Sequence, residues 1–513
     1  MKVKKLAAVA ANVAEVQADL LLVPVFEGGL GEGAALQLQG SLSTVVQQAT
    51  VESFTGKSGE TMFVFSADKI GATRTLFFGL GSKSSLDRKS LRDALTAAFS
   101  AAKAAKVSSL ALACPELTGT GVSSFDFGQA AGETVVMVDY VINHFKTALG
   151  GHKPEVRFDE LRLVCDKADK ACQNGLKKGF FMGESVNKAR DFVNLPPNMM
   201  TPMILAKKAT EIAKNSGGSI KVKIIRKREL KKQGWGAFLA VAQGSDQEPV
   251  FIDMVYEGEG ATGTDFLTFI GKSVTYDSGG LDVKTGGSMR TMKCDMAGGA
   301  TTLAAIMAVA ALKLPLRLRV VMAATENMIN GSSYKSGDVL FSLSGMSIEV
   351  DNTDAEGRLT LADAIEYCKR NGATHIVDVA TLTGAMVVGL GKVATGAFSN
   401  NDQLAGKVLQ AADVAGEHIH RMPMHAAYAK GNESNIADVK NSGGAGFGAG
   451  SITAAWFLRK FVGETLPWVH LDIAGTAFNN NEASGWGVRT LIELARDFAT
   501  PDEAPVVPSR KGR

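Results

Sequence analysis

Four stretches of this 513-residue chain are almost continuously apolar: FLTFIGK (266–272), LRVVMAATE (318–326), THIVDVATL (374–382) and PWVHLDIAG (467–475). Each is short and bounded by Gly or polar residues. A strand with one wet face alternates polar and apolar residues, whereas a strand buried on both faces does not. Runs of this kind belong in a sheet covered by helices on both sides, and helical segments fit between them at 296–313, 357–371 and 450–462. Open α/β sheets hold their ligands at the carboxyl ends of the strands. Chemistry is therefore expected in the residues that follow each run.

The N-terminal part alternates in the same way. DLLLVPVF (19–26), TMFVFSA (61–67), RTLFFGLG (74–81) and SSLALAC (108–114) read as strands of a parallel α/β pattern, and LDRKSLRDALTAAFSAAKAAK (86–106) as a helix. After a polar stretch at 150–160 and the strand-like LRLVCD, a long helical segment covers 170–194. It stops at LPPNMMTP, because proline lacks the donor and clashes with the preceding turn. The chain is too long for one typical hydrophobic core. Two domains are expected, 1–175 and 176–513, joined within this helix. At the N-terminus, Asn12 and Glu15 interrupt the apolar run too early for a signal peptide, so a first strand or exposed turn is expected. The apolar window 296–312 holds Ala, Gly and Thr and is flanked by Lys313, Arg317 and Arg319, which suits a buried helix better than a membrane span.

Composition and residue counts narrow the classes of function. A formal charge of +3 makes no demand for nucleic acid or an anionic membrane. The five cysteines, Cys114, Cys165, Cys172, Cys294 and Cys368, form no CxxC pair and are odd in number. They read as free thiols in a reducing cytoplasm, with Cys294 a packing residue. The seven histidines form no HExxH motif. His418 and His420 read as surface or packing residues, His470 as a satisfied core histidine. GLGSKSS (79–85) and GGAGFGAGS (443–451) lack the spacing of phosphate or dinucleotide loops and read as a turn and a loop.

Charged residues gather where the strands lead. Lys272 closes the first run, and Asp277, Lys284 and Asp295 follow in loops rich in glycine. NTDAEGRL (352–359) adds Asp354, Glu356 and Arg358 ahead of a helix. Oxygen-rich clusters suit hard or borderline divalent cations, and four carboxylates can balance two of them. A structural salt-bridge network accounts for the same residues.

NTDAEGRL resembles the signature of the leucine aminopeptidase, or cytosol aminopeptidase, family. GKSVTYDSGGLDVK, MKCDMAGGA, RDFVNLPPNMMTP, TLTGA and VHLDIAGTA resemble its other segments in the same order. The resemblance covers the C-terminal two-thirds; the N-terminal part matches in size and α/β pattern. It implies a smaller N-terminal domain resembling a macro domain and a larger catalytic α/β domain with a mixed, mostly parallel sheet. It implies two divalent ions per subunit, Mn2+ or Zn2+. Lys272, Asp277, Asp295 and Glu356 would hold the tight one, and Asp277, Asp354 and Glu356 the exchangeable one. Lys284 and Arg358 would be the catalytic pair, with Lys284 stabilising a gem-diolate and an Arg358-bound bicarbonate as general base to a metal-bridging water. A metal-ligating lysine must be neutral, although the free side chain titrates near about 10.4; only an adjacent dication explains that demand on Lys272.

Met292, Asn352, Thr381, Leu382, Gly384 and Ala474 would contact substrate in a largely apolar pocket. Apolar walls discriminate by only about 1–3 kcal/mol per methylene, so a broad preference for Leu-like N-termini of peptides is expected. The resemblance further implies a cytoplasmic homo-hexamer with no membrane partner. Some family members bind DNA, so a DNA-binding regulator stands as an alternative or additional role, marked by a basic groove. The lysine ligand argues against a two-metal phosphoesterase. ENMINGSSYKSGD (326–338) departs from the proline-bearing form of its loop, which leaves that loop's rigidity in question.

Overall fold

A computed structural model describes residues 3, 5–29, 38, 54–65, 70–142, 145–151, 155–261, 264–479 and 481–499. His144, His152 and the last two residues of TMFVFSA lie outside them. The chain divides into two compact units, Met1–Asn187 and Lys188–Arg513. The division falls inside the helix Lys170–Asn194, the segment in which the joint near 175 was expected.

The first unit is built on six strands: β1 (Lys5–Ala10), β2 (Ala18–Phe26), β3 (Thr61–Phe65), β4 (Ala72–Gly81), β5 (Ser109–Ala113) and β6 (Glu160–Cys165), in the order β1-β6-β5-β2-β4-β3. Neighbours run parallel except β3, which is antiparallel to β4 and so departs from the all-parallel expectation. The reason is visible in its side chains. β3 is the edge strand, and its residues alternate between exposed and half-buried, as an antiparallel edge allows.

The helices Arg88–Ala104 and Ser124–Asp139 each begin with a capping box, from Asp87 with Ser90 and from Ser123 with Asp126. The second was not legible from periodicity, because GQAAG spreads small residues over its faces. Those residues serve a close crossing. A Cβ on Gly128 would lie 2.1 Å from the Cys172 carbonyl oxygen, and one on Gly179 would lie 2.0 Å from the Gln129 carbonyl oxygen. The helices Ser124–Asp139 and Lys170–Asn194 therefore touch backbone to backbone.

The second unit contains an eight-stranded sheet. Its strands are β7 (Ile220–Arg226), β8 (Val250–Glu257), β9 (Phe266–Asp277), β10 (Arg317–Asn327), β13 (His375–Ala380), β14 (Thr395–Ser399), β15 (Ile419–Arg421) and β17 (Trp468–Asp472). The order is β15-β14-β17-β13-β9-β10-β8-β7. The central strands β17, β13, β9 and β10 are parallel, as are β14 and β15. β14 runs antiparallel to β17, and β8 runs antiparallel to both β10 and β7. A small sheet joins β11 (Val339–Phe341), β12 (Ser347–Glu349) and β16 (Val439–Lys440).

The helix Ala297–Ala311 lies against β9 and β13. A Cβ on Gly298 would meet the Val379 carbonyl oxygen at 1.9 Å, so only glycine lets the helix start this close. The run Ser288–Ala311 is apolar and long enough to pass for a membrane span, yet 83% of its apolar window is buried within the protein.

β9 is longer than FLTFIGK. It continues to Asp277, so Lys272 lies within the strand rather than at its end. Pairing with β10 skips a residue: Thr325 faces Val274 and Glu326 faces Tyr276, which leaves Thr275 as an extra residue, a bulge. Strand residues alternate faces, so Lys272 and Asp277, five apart, would otherwise point to opposite sides. The extra residue reverses the alternation and brings both to the same side.

Candidate metal centre

Three segments of the second unit converge on this side of β9. The strand supplies Lys272 and Asp277. The 3-10 helix Ser288–Met296 supplies Met292 and Asp295. The turn ahead of the helix Gly357–Arg370 supplies Asp354 and Glu356, and Arg358 sits in that helix's first turn. The Lys272 Nζ lies 2.8 Å from both Asp295 Oδ1 and Glu356 Oε1, and donates to the Thr381 carbonyl at 2.9 Å. Lys284 Nζ lies 2.8 Å from Asp277 Oδ2 and 2.5 Å from Asp354 Oδ1. Oxygens of Asp277, Asp354 and Glu356 all lie within 4.8 Å of one another.

Charge balance decides what this cluster can hold. Lys272, Asp277, Asp295 and Glu356 are each exposed by less than 5%, and buried charge is costly unless compensated. Four carboxylates face two ammonium groups, so negative charge is in excess. Burial, together with Glu356 and Asp277, pushes Asp354 up to about 7. Burial raises Asp295 well above the usual carboxylate range, although Lys272 opposes it. Burial disfavours the charge on Lys272, but Asp295, Glu356 and Asp277 outweigh it and hold its ammonium above the usual range. Asp295 Oδ2 is buried without a hydrogen-bond partner among the described residues. A cation-seeking set of hard oxygens is what these residues amount to, and they fit divalent metal.

The pairing of Arg358 separates the two readings of NTDAEGRL. Its Nη1 donates to the Asn441 carbonyl at 2.6 Å, and its Nε has no hydrogen-bond partner among the described residues. No ion pair joins it to Asp354 or Glu356 among the described contacts. Burial lowers it to about 10. The turn is therefore not a salt bridge closed by its own arginine. Its shape is set from outside: Asn441, fully buried, accepts from the N–H groups of Asp351 and Asn352 and donates to the carbonyls of Asn352 and Ala355.

Other supporting residues carried no sequence signal. Asn327 Nδ2 donates to Asp277 Oδ1 at 2.8 Å and to the Thr353 carbonyl at 3.1 Å. Asp282 accepts from the N–H of Thr353 at 2.7 Å. Asp472, fully buried, accepts from the N–H groups of Leu382 and Ala474 and from the Thr383 hydroxyl. A buried Asn or Asp in a remote strand or loop looks like any other polar residue until its partners are known.

Of the expected substrate residues, Thr381 and Asn352 hydrogen-bond to these acids. The Thr381 hydroxyl donates to Asp295 Oδ1 at 2.8 Å, and Asn352 Oδ1 accepts from the N–H of Asp354 at 2.6 Å. Leu382 and Ala474 share Asp472. Met292 is half-buried, and Gly384 is exposed at the start of the helix Gly384–Leu390. Among the described residues, no histidine joins the cluster of Asp277, Asp354 and Glu356. His418 and His420 are exposed. His470 is fully buried with Nδ1 2.6 Å from Asp378 Oδ1, but its Nε2 has no hydrogen-bond partner among the described residues, so the core histidine expected is satisfied at one nitrogen only. The proline-free loop after β10 is tied down by Ser333, whose hydroxyl accepts from the N–H of Asn330 and donates to the Met328 carbonyl, both at 2.9 Å.

Two family models match the chain: "Cytosol aminopeptidase family, catalytic domain" over residues 187–492 and "Cytosol aminopeptidase family, N-terminal domain" over residues 22–148. A probable cytosol aminopeptidase of Bdellovibrio bacteriovorus is 39% identical over 457 residues, covering 87% of this chain and 90% of the relative. One from Alkaliphilus oremlandii is 37% identical over 503 residues, covering 95% and 98%. Among solved structures, a tomato leucine aminopeptidase mutant superimposes with a TM-score of 0.87 at 32% identity, covering 96% of each chain. The bottromycin maturation enzyme BotP in complex with Mn superimposes with a TM-score of 0.82 at 31% identity, covering 94% of this chain and all of that one. Matched in both domains and along nearly the full length of its relatives, the chain belongs to the cytosol aminopeptidase family and is a metallo-aminopeptidase.

Proposed function

We propose that this enzyme removes N-terminal residues, Leu and other apolar ones by preference, from peptides at the centre formed by Lys272, Asp277, Asp295, Asp354 and Glu356. The observation that carries the reading is the triad Asp277, Asp354 and Glu356, with ligand oxygens within 4.8 Å and more buried acid than base around them. Two divalent ions, Mn2+ or Zn2+, would supply Lewis acidity and an activated water there. Lys272, with its ammonium between Asp295 and Glu356, would have to lose a proton to become a ligand, since an ammonium has no lone pair.

Lys284 keeps its charge in this reading. It would face the scissile carbonyl oxygen and stabilise the negative charge that develops there. Burial is offset for it by Asp277, Glu356, Asp295 and Asp354, which hold its ammonium above the usual range. The partnerless Nε of Arg358 leaves a donor for an oxyanion, and the planar guanidinium suits bicarbonate. A bicarbonate held there would supply the general base that no nearby side chain obviously provides. The partnerless Asp295 Oδ2 offers an acceptor to a free α-amine, which an internal peptide nitrogen cannot present. Met292, Asn352, Thr381, Leu382, Gly384 and Ala474 would bound the substrate pocket, supported by the nearness of Thr381 to Asp295 and of Asn352 to Asp354. A homo-hexamer in the cytoplasm fits the family. A formal charge of +3 lends the DNA-binding role no support of its own.

Leucinamide hydrolysis tests the proposal. Activity should fall on chelation, return with Mn2+ or Zn2+, and be lost in Asp354→Ala. Full activity surviving both chelation and that substitution would contradict it.

A further inference from the structure

Outside the peptidase centre, one other group of metal-ligating side chains draws together among the described residues. Cys114, Cys165 and Cys172 lie within 4.8 Å of one another, sulfur to sulfur. Cys114 follows β5, and Cys165 ends the neighbouring parallel strand β6. The N–H of Cys114 donates to the Val164 carbonyl at 2.8 Å, which keeps the two strand ends in register. Cys172 lies in the first turn of the helix Lys170–Asn194, where its N–H donates to Asp169 Oδ1 at 3.0 Å. Two carboxyl ends of strands and one helix start thus aim their thiols at one point.

We propose that these three cysteines form a second metal site, for a single thiophilic d10 cation of the zinc class. Three thiolates about 2.3 Å from one tetrahedral zinc lie roughly 3.8 Å apart, about 1 Å inside the 4.8 Å within which these sulfurs already lie. All three sulfurs are free, and thiolates select soft or borderline ions over the hard ions that carboxylates favour. A cavity of about 400 Å3 opens onto all three and is bordered by Glu116, Asp166 and Asp169, giving a cation a route in and leaving a fourth position for water. The helix start favours negative charge at Cys172. On binding, the thiol protons pass to buffer and three metal–sulfur bonds form, with no redox change. The bound ion would tie β5 and β6 to the helix.

The test uses the full chain, kept reduced, with Cd2+ as probe. Thiolate-to-cadmium charge transfer absorbs in the ultraviolet, and an all-oxygen and amine centre gives no such band. The band should saturate at one ion per chain. It should be lost in Cys165→Ser and weakened at least tenfold in affinity in Cys114→Ser and Cys172→Ser, but kept in Cys368→Ser. Mn2+-supported peptidase activity should stay unchanged in the soluble cysteine variants, which separates this site from the catalytic one. Should a variant fail to fold, the unmodified protein gives a second readout: Cd2+ should protect these three cysteines from alkylation, read by peptide mapping. Absence of the band in the reduced protein, its persistence in Cys165→Ser, or unprotected thiols in the presence of Cd2+ would overturn the proposal.

Discussion

Lys272 and Lys284 lie among the same acids, yet the proposed chemistry asks opposite things of them. Lys272 must give up its proton and ligate; Lys284 must keep its proton and meet the substrate. Substitution should separate the two. Lys272→Met is expected to lose bound metal and activity together, by metal analysis and leucinamide hydrolysis. Lys284→Gln is expected to keep its metal and lose about 100-fold to 1,000-fold in kcat, the range for one removed oxyanion donor. A second residue-scale prediction concerns Asp363. Burial holds its carboxyl up at about 7, against the N–H groups of Phe238 and Leu343 that donate to it. An acid whose folded pKa is raised stabilises the fold fully below its unfolded pKa, near about 4, and that contribution is lost as pH rises toward about 7. Denaturation midpoints should therefore show wild type losing stability relative to Asp363→Asn across this window, and a flat difference above it. The acids and lysines were legible in the sequence because their motifs are contiguous and their charges conspicuous. Asn327, Asn441 and Asp472 were not, since each acts by hydrogen bonds to segments distant in the chain.

At the scale of elements, β9 does most to assemble the centre. Its apolar run marked it as a strand, but SVTYD contains too few aliphatic residues to show that the strand goes on. The bulge at Thr275 is a property of the pairing with β10 and leaves no trace in one strand's sequence. Packing makes a related demand on the helix Ala297–Ala311. Gly298→Ala puts a methyl 1.9 Å from a carbonyl oxygen, so the helix must shift. A cost of about 1–3 kcal/mol is expected, as for other overpacked sites, read from the denaturation midpoint. The helix Ser124–Asp139 escaped sequence reading for the complementary reason: its glycines serve a close helix crossing, which periodicity does not reveal.

For the whole molecule, the sheet in each unit follows from buried apolar runs, and the α/β class and two-domain organisation were legible from them. The antiparallel strands β3, β7, β8 and β14 were the harder part. Parallel and antiparallel neighbours differ in hydrogen-bond pattern, not in the apolar content of a short run. A ligand that binds the folded state alone stabilises it, by about 2.7 kcal/mol at a hundred times its dissociation constant. Mn2+ should accordingly raise the unfolding midpoint of the wild type and leave that of Glu356→Gln nearly unmoved. The most direct measurement is anomalous diffraction from crystals grown with Mn2+. Two peaks roughly 3.5–4 Å apart, among Asp277, Asp295, Asp354 and Glu356, are predicted. Full leucinamide hydrolysis by the same preparation with no peak among these residues would contradict the account.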